Sequence, residues 1–125
     1  MRASIWLSSL LLVGVPPAAC AKALASDDQI RQALVGNTIS GEEDGKTFSE
    51  YFNPDGRVLG EGGEGRFSGH WHIAGGQMCV RYAEPTGSES IWECSRIDVE
   101  GSAVTWSDEE GKTVFTLTPG NPGKF

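Results

Sequence analysis

The hydrophobic positions of the chain follow two different periods, and the first is confined to a short early segment. In "SDDQIRQALVGN", Ile30 and Leu34 recur at the spacing of one helix face. Ser26 and Gln29 have the spacing of a capping box, and a glycine follows the last apolar residue. The pattern predicts a short amphipathic helix over residues 27–35.

Beyond this helix, turn residues recur every eight to twelve positions, and β-branched and aromatic residues alternate with polar ones between them. This pattern predicts an all-β antiparallel meander of eight strands, in one domain over residues 26–118. The predicted strands lie near 37–41, 46–53, 57–61, 65–74, 77–84, 89–99, 102–107 and 112–118. Eight short strands with one apolar face each can bury it by curling into a small barrel, which removes sheet edges. A two-sheet sandwich is the alternative.

Strand alternation assigns the large side chains to faces. Along residues 66–74, Phe67 and Trp71 share the apolar face, whereas both histidines share the other. An eight-stranded barrel can be filled by side chains or can hold one small ligand. The large residues on the apolar faces favour a filled core and are Phe52, Phe67, Trp71, Tyr82, Trp106 and Phe115.

Two of the three cysteines are predicted to pair. A hairpin centred between residues 86 and 87 places Cys79 directly opposite Cys94, at a distance suited to a disulfide. The same register places Glu93 opposite Val80 on the apolar face. Either a bulge shifts the register there, or the apolar face is open at that point.

The N-terminal segment has the layout of a secretory signal peptide over residues 1–25. A basic residue precedes an apolar run at 3–15, a Pro-Pro pair ends the run, and small residues follow. Cleavage is expected after Ala23 or Ala25, with Ala21 as the alternative. We therefore expect a periplasmic or secreted bacterial protein, an oxidising location in which Cys79 and Cys94 would pair.

In an alternative interpretation of this segment, Cys20 is the lipid-bearing first residue of a mature lipoprotein. Pro17 stands at the position where such proteins usually have an aliphatic residue. The run at 3–15 is too short to span a bilayer, so no transmembrane segment is predicted. Membrane attachment is expected only if Cys20 is lipidated.

The charge balance is acidic, with seventeen Asp and Glu against ten Lys and Arg and a net charge of −7. Loss of Arg2 and Lys22 with the signal peptide would make the mature domain more acidic still. Such a surface repels phosphate backbones, so nucleic acid is not an expected partner. The acidity is typical of a soluble surface.

His70 and His72 are the candidate metal ligands, for copper or zinc. Two residues apart on a strand, their imidazoles point the same way. Met78 falls on the opposite face, and Cys79 is expected in the disulfide, so spacing supplies no further ligand. The competing interpretation is two histidines that face solvent.

No catalytic constellation is apparent. The chain has no G-x-S-x-G elbow, and no free thiol remains if the cysteines pair. The acidic segments 41–45 and 107–111 are predicted to be solvated turns. The glycine-rich segment 60–66 is predicted to be a flexible connection or a bulged strand. Residues 119–125 are predicted to form a flexible tail. We predict a protein that is not an enzyme and needs no cofactor.

The segments "GNTISG", "EYFNPDGRVLG" and "GHWHI", with two cysteines around "VRY" and "IWE", resemble a family of small exported alphaproteobacterial domains of unknown function. More distantly, a G-x-W strand followed by a disulfide-closed hairpin is similar to periplasmic inhibitors of secreted metalloproteases. That resemblance implies a lipocalin-like barrel whose N-terminal segment enters the protease cleft.

The leading functional hypothesis is an exported, non-enzymatic binding or accessory protein that acts on an unknown protein or small ligand. One alternative is a protease-inhibitor-like protein that uses residues 24–36. The other is metal handling through His70 and His72.

Overall fold

The computed structural model describes residues 24–125, so the predicted signal peptide and the Cys20 alternative lie outside the described residues, apart from Leu24 and Ala25. One helix precedes eight strands. The elements are α1 (Asp27–Leu34), β1 (Asn37–Glu43), β2 (Lys46–Phe52), β3 (Arg57–Gly62), β4 (Gly65–Ala74), β5 (Gln77–Tyr82), β6 (Glu93–Glu100), β7 (Ala103–Asp108) and β8 (Gly111–Pro119). The predicted all-β fold with a short N-terminal helix is confirmed.

The strands form a closed antiparallel barrel in chain order. Each strand pairs with the next, and β1 pairs with β8, with Ile39 opposite Leu117, to close the ring. Closure leaves the ring without a free sheet edge, which is the physical advantage a barrel has over a sandwich. Among the described residues no helix is long and apolar enough to cross a membrane.

The helix α1 packs against one end of the barrel, where it contacts β1, β4, β5 and β6. The predicted capping box is present: Ser26 Oγ accepts from Gln29 N, and Gln29 Oε1 accepts from Ser26 N. Ile30 and Leu34 are fully buried beneath it. The helix ends at Leu34, one residue before the predicted end, because Val35 is already extended and bridges to Phe52.

The half of the barrel next to α1 is filled with apolar side chains. Five of these are fully buried inside the ring: Phe52, Val58, Met78, Ile97 and Val104. Trp71 also lies in this half, and its indole Nε1 donates to Asn53 O over 2.9 Å. Phe52 and Trp71 therefore occupy core positions, as their strand alternation predicts.

The hairpin between β5 and β6 carries the predicted disulfide. Cys79 and Cys94 are opposed in the ladder and bonded, with Cα atoms 4.0 Å apart. The strand β6 begins at Glu93, so the prediction of a strand from residue 89 was wrong. Tyr82 pairs with Ser90 through two hydrogen bonds of 2.8 and 2.9 Å. This pairing leaves one extra residue on the β6 side, and the bulge turns the Ile91 side chain outward, where it is 81% exposed.

The C-terminal residues 120–125 make local contacts beyond β8. Gly120 N donates to Asn37 Oδ1 over 2.9 Å, and Asn121 exchanges two hydrogen bonds with the main chain of Phe125. The predicted flexibility of this tail stays a prediction.

Candidate functional site

A cavity of about 1390 Å³ occupies the half of the barrel opposite α1. Small and acidic side chains stand between the large ones on the inner face of this half, and they leave space open; among them are Gly60, Gly62, Ser95, Glu50 and Glu93. The barrel is therefore filled at one end and open at the other, so the filled core that the large side chains favoured extends over only part of the interior.

Aromatic rings line the cavity wall instead of filling it. Phe67 and Tyr82 pack edge to face with centroids 5.6 Å apart, and Trp106 and Phe115 do so at 6.0 Å. These four residues were predicted to be core. Phe115 is buried at the wall, whereas the other three are only partly buried, because one side of each ring borders the cavity.

Two glycines give these rings the space to lie against the strands. A Cβ added at Gly60 would overlap both the main-chain oxygen of Ser49 and the Phe67 ring, and one at Gly41 would come within 2.8 Å of the Phe115 ring. A side chain at either position would compete with these rings for the same space. The glycines thus keep the open half of the barrel open.

A hydrogen-bonded carboxyl–phenol pair lies inside the cavity. Glu50 projects inward from β2 and is only 3% exposed, while Tyr82 comes from β5. The Tyr82 hydroxyl donates to Glu50 Oε1 over 2.6 Å. Glu50 was not among the residues predicted from the sequence, although its alternation with the inward residues Phe48 and Phe52 was a signal that could have placed it on the apolar face.

Burial perturbs the titration of both groups. Desolvation raises the pKa of Glu50 from 4.5 to about 7; the Tyr82 hydrogen bond acts against this rise, and the charge of Glu43 adds to it. Burial, followed by the negative charge of Glu50, raises the pKa of Tyr82 above its ordinary value. At neutral pH Tyr82 is a neutral hydrogen-bond donor, and Glu50 exchanges between its carboxyl and carboxylate forms.

The opening of the cavity is bordered by the turns of three hairpins, β1–β2, β3–β4 and β7–β8, and by the start of the β5–β6 loop at residues 83–85. The acidic segments 41–45 and 107–111 lie here, and their tips are exposed turns. The glycine-rich segment 60–66 has no bulge in its pairing, and its predicted flexibility stays a prediction. It forms a regular hairpin with Gly62 opposite Gly65, because Gly65 adopts the positive φ of 105° that the turn needs.

The charges around the cavity are mostly negative. Eight acidic residues line it: Glu43, Asp44, Glu50, Glu64, Glu84, Glu93, Asp108 and Glu110. Three basic residues also line it: Lys46, Arg66 and Lys112. Glu93 lies opposite Val80, as the predicted register has it, and lines the cavity. The pairing is therefore not shifted at Glu93, and the apolar face of the sheet is open there. A concave, low-dielectric wall with this charge favours positively charged occupants.

The two histidines lie on the outer face of β4, away from the cavity. His70 Nδ1 is 2.9 Å from Glu89 Oε1, and the guanidinium of Arg81 pairs with the other oxygen of the same carboxylate. His72 packs edge to face on the Trp92 ring with centroids 4.3 Å apart. Each imidazole therefore has its own neighbour.

No group of three or more His, Cys, Asp or Glu residues within 24–125 is arranged to hold a metal ion. Met78 is buried inside the barrel, on the face opposite His70 and His72. Metal binding by His70 and His72 stays a prediction.

The N-terminal segment required by the inhibitor hypothesis is packed onto the barrel over most of its described length. Ala25 N donates to Ile97 O over 2.9 Å, and Asp27 Oδ1 accepts from Gly76 N over 2.5 Å. Ile30 and Leu34 close the filled end. Removing residues 24–36 would expose the core, so that truncation cannot separate inhibition from folding.

No family model matches the chain, and neither a curated protein nor a solved structure matches it. Function is therefore inferred from the residues and geometry of the cavity.

Proposed function

We propose that the protein is an exported, non-enzymatic binding protein that holds a small ligand inside its barrel. The observation that carries this proposal is the open cavity, whose wall combines aromatic rings with one buried polar pair, Glu50 and Tyr82. Small-molecule sites are typically concave and largely apolar, with a few polar groups that orient the ligand.

The cavity is large enough for this role. Its volume of about 1390 Å³ exceeds the range of roughly 300–1,000 Å³ that is typical of small-ligand pockets, as expected for a cavity that opens to solvent. A domain of this size has a modest core, and an unfilled interior removes packing contacts that would stabilise it. A ligand-binding role explains why half of the barrel is left unfilled.

Export is supported by the signal-like residues 1–25 and by the pairing of Cys79 with Cys94. Disulfides of this kind persist mainly in oxidising compartments outside the cytoplasm.

Titration of the purified protein with N-phenyl-1-naphthylamine tests the proposal. This neutral apolar dye becomes fluorescent when it leaves water, so it reports cavity binding independently of ligand charge. We expect saturable binding at one site.

The matched variants are Gly62→Phe and Glu61→Phe, which place the same ring on opposite sides of β3. Gly62 lines the cavity, and a Cβ there meets its nearest neighbour at an ordinary distance of 3.6 Å, whereas Glu61 is exposed. Gly62→Phe should abolish dye binding and Glu61→Phe should retain it. Equal binding by both variants would show that the dye binds elsewhere and would refute the proposal.

A further inference from the structure

The buried carboxyl group of Glu50 has hydrogen-bonding capacity that the protein does not use. Its Oε1 accepts from the Tyr82 hydroxyl, which is the one hydrogen bond to the Glu50 carboxyl group found within residues 24–125. Glu50 lines the cavity, so a bound molecule can reach this carboxyl group. A carboxyl group that borders the cavity can accept more than one hydrogen bond, so a donor on a bound ligand can pair with it.

The charged residues around Glu50 favour a positively charged donor on the ligand. Glu43 and Glu93 face the same cavity from β1 and β6, and the neutral Tyr82 hydroxyl is already committed to Glu50. Of the three basic residues of the lining, Lys46 lies at the start of β2 and Arg66 at the start of β4, both beside turns.

Lys112 follows the β7–β8 turn, and the guanidinium of Arg66 stacks on Phe125 at 5.6 Å. Basic groups therefore lie towards the opening, and no basic side chain within residues 24–125 pairs with Glu50 itself. An anionic head group would be repelled at this depth, whereas a cationic one would be attracted.

The aromatic wall favours the same class of ligand. The rings of Phe48, Phe67, Trp106 and Phe115 line the cavity around Glu50 and Tyr82. Aromatic faces bind apolar bodies, and they also attract cations through their quadrupoles. A metal ion is a poorer match, because no group of three or more candidate ligands is assembled in the part of the chain that the structure describes.

We propose that the ligand is an amphipathic amine, with an aromatic or branched apolar body on the ring wall and one protonated nitrogen paired with Glu50. This inference rests on the proposed function and narrows it to a class of ligand.

Three probes that share one ring system test the inference: 1-naphthylmethylamine, 1-naphthylmethanol and 1-naphthylacetic acid. Their affinities are measured at pH 8 by isothermal titration calorimetry with wild-type protein and with Glu50→Gln. We expect the amine to bind wild type at least ten-fold more tightly than the alcohol and the acid to bind most weakly. Glu50→Gln should reduce the preference for the amine over the alcohol to less than three-fold.

Two controls keep the outcome interpretable. Glu50→Gln must still bind N-phenyl-1-naphthylamine, which shows that its cavity is intact. Glu93→Gln is a second cavity variant for the case in which Glu50→Gln does not fold. It should lower the preference for the amine over the alcohol by a smaller factor. If the three naphthyl probes bind equally, or none binds while the dye does, the amine inference is overturned and the proposed function stands. If neither the dye nor any probe binds wild type, both are overturned.

Discussion

Replacing Glu50 with glutamine should change how the stability of the barrel depends on pH. The buried carboxyl has its pKa raised from 4.5 to about 7, so between these values the folded protein holds a proton that the unfolded chain has released. Stability from this group is therefore fully present below about pH 4.5 and is lost as the pH rises through 7. The glutamine side chain of the variant carries no titrating proton, so the variant lacks this loss.

The size of the effect follows from the shift. Each pKa unit corresponds to about 1.4 kcal/mol, so a rise from 4.5 to about 7 amounts to about 3 kcal/mol of unfolding free energy. Relative to wild type, Glu50→Gln should gain about 3 kcal/mol between pH 4.5 and pH 8. This difference is a large fraction of the total stability expected for a domain of this size.

Urea denaturation followed by tryptophan fluorescence measures the effect at half-unit steps from pH 4.5 to 8. The matched control is Glu61→Gln on β3, since Glu61 is exposed on the outside of the barrel. Its stability difference from wild type should not change over this range. A Glu50→Gln difference that is equally flat would refute the assignment of a raised pKa to Glu50 and, with it, the picture of a desolvated carboxyl in the cavity.

Three further changes test the closing elements of the fold and the polar pair. Replacing Cys79 and Cys94 with Ser, which removes a link across 15 residues, should lower the unfolding free energy by about 3 kcal/mol, and a urea midpoint unchanged from oxidised wild type would contradict this. Leu34→Ala should lower the unfolding free energy by about 2–5 kcal/mol in the same assay, because Leu34 is fully buried where α1 packs on the end of the barrel. A decrease below about 1 kcal/mol would mean that packing of this helix contributes little to stability. Tyr82→Phe removes the hydrogen bond that lowers the pKa of Glu50, so the carboxyl carbon signal of Glu50 should titrate above pH 7 by NMR, and a lower midpoint than in wild type would be the contrary result.

Predictions from the sequence succeeded where the interactions are local. The capping box joins Ser26 and Gln29, three residues apart, and the hairpin centre sets the Cys79–Cys94 register within one pair of adjacent strands. A bulge in this hairpin was one of two interpretations of Glu93, but its position between Tyr82 and β6 was not predicted, because it depends on the Ser90 side chain and main chain binding Tyr82. Such competition between side-chain and ladder hydrogen bonds leaves no trace in the alternation of residues.

The candidate site was predicted less well. The pattern drew attention to His70 and His72, whose spacing is conspicuous, yet the structure places them on the outer face with separate neighbours. Glu50 and Tyr82 are 32 positions apart on strands that are not adjacent in the barrel, so no local motif connects them. They meet only because closure of the ring turns both side chains inward.

By itself, the sequence determined the types and order of the elements, the antiparallel meander, the two faces of β4 and the disulfide partners. Each of these depends on a period, a turn or a register that acts over a few residues. The tertiary structure alone decided that the barrel is filled at one end and open at the other. Whether an interior is filled depends on the summed volume of the side chains that all eight strands place at one depth of the barrel. The effect of a glycine such as Gly60 on that volume depends on which ring of a neighbouring strand lies against it, here that of Phe67.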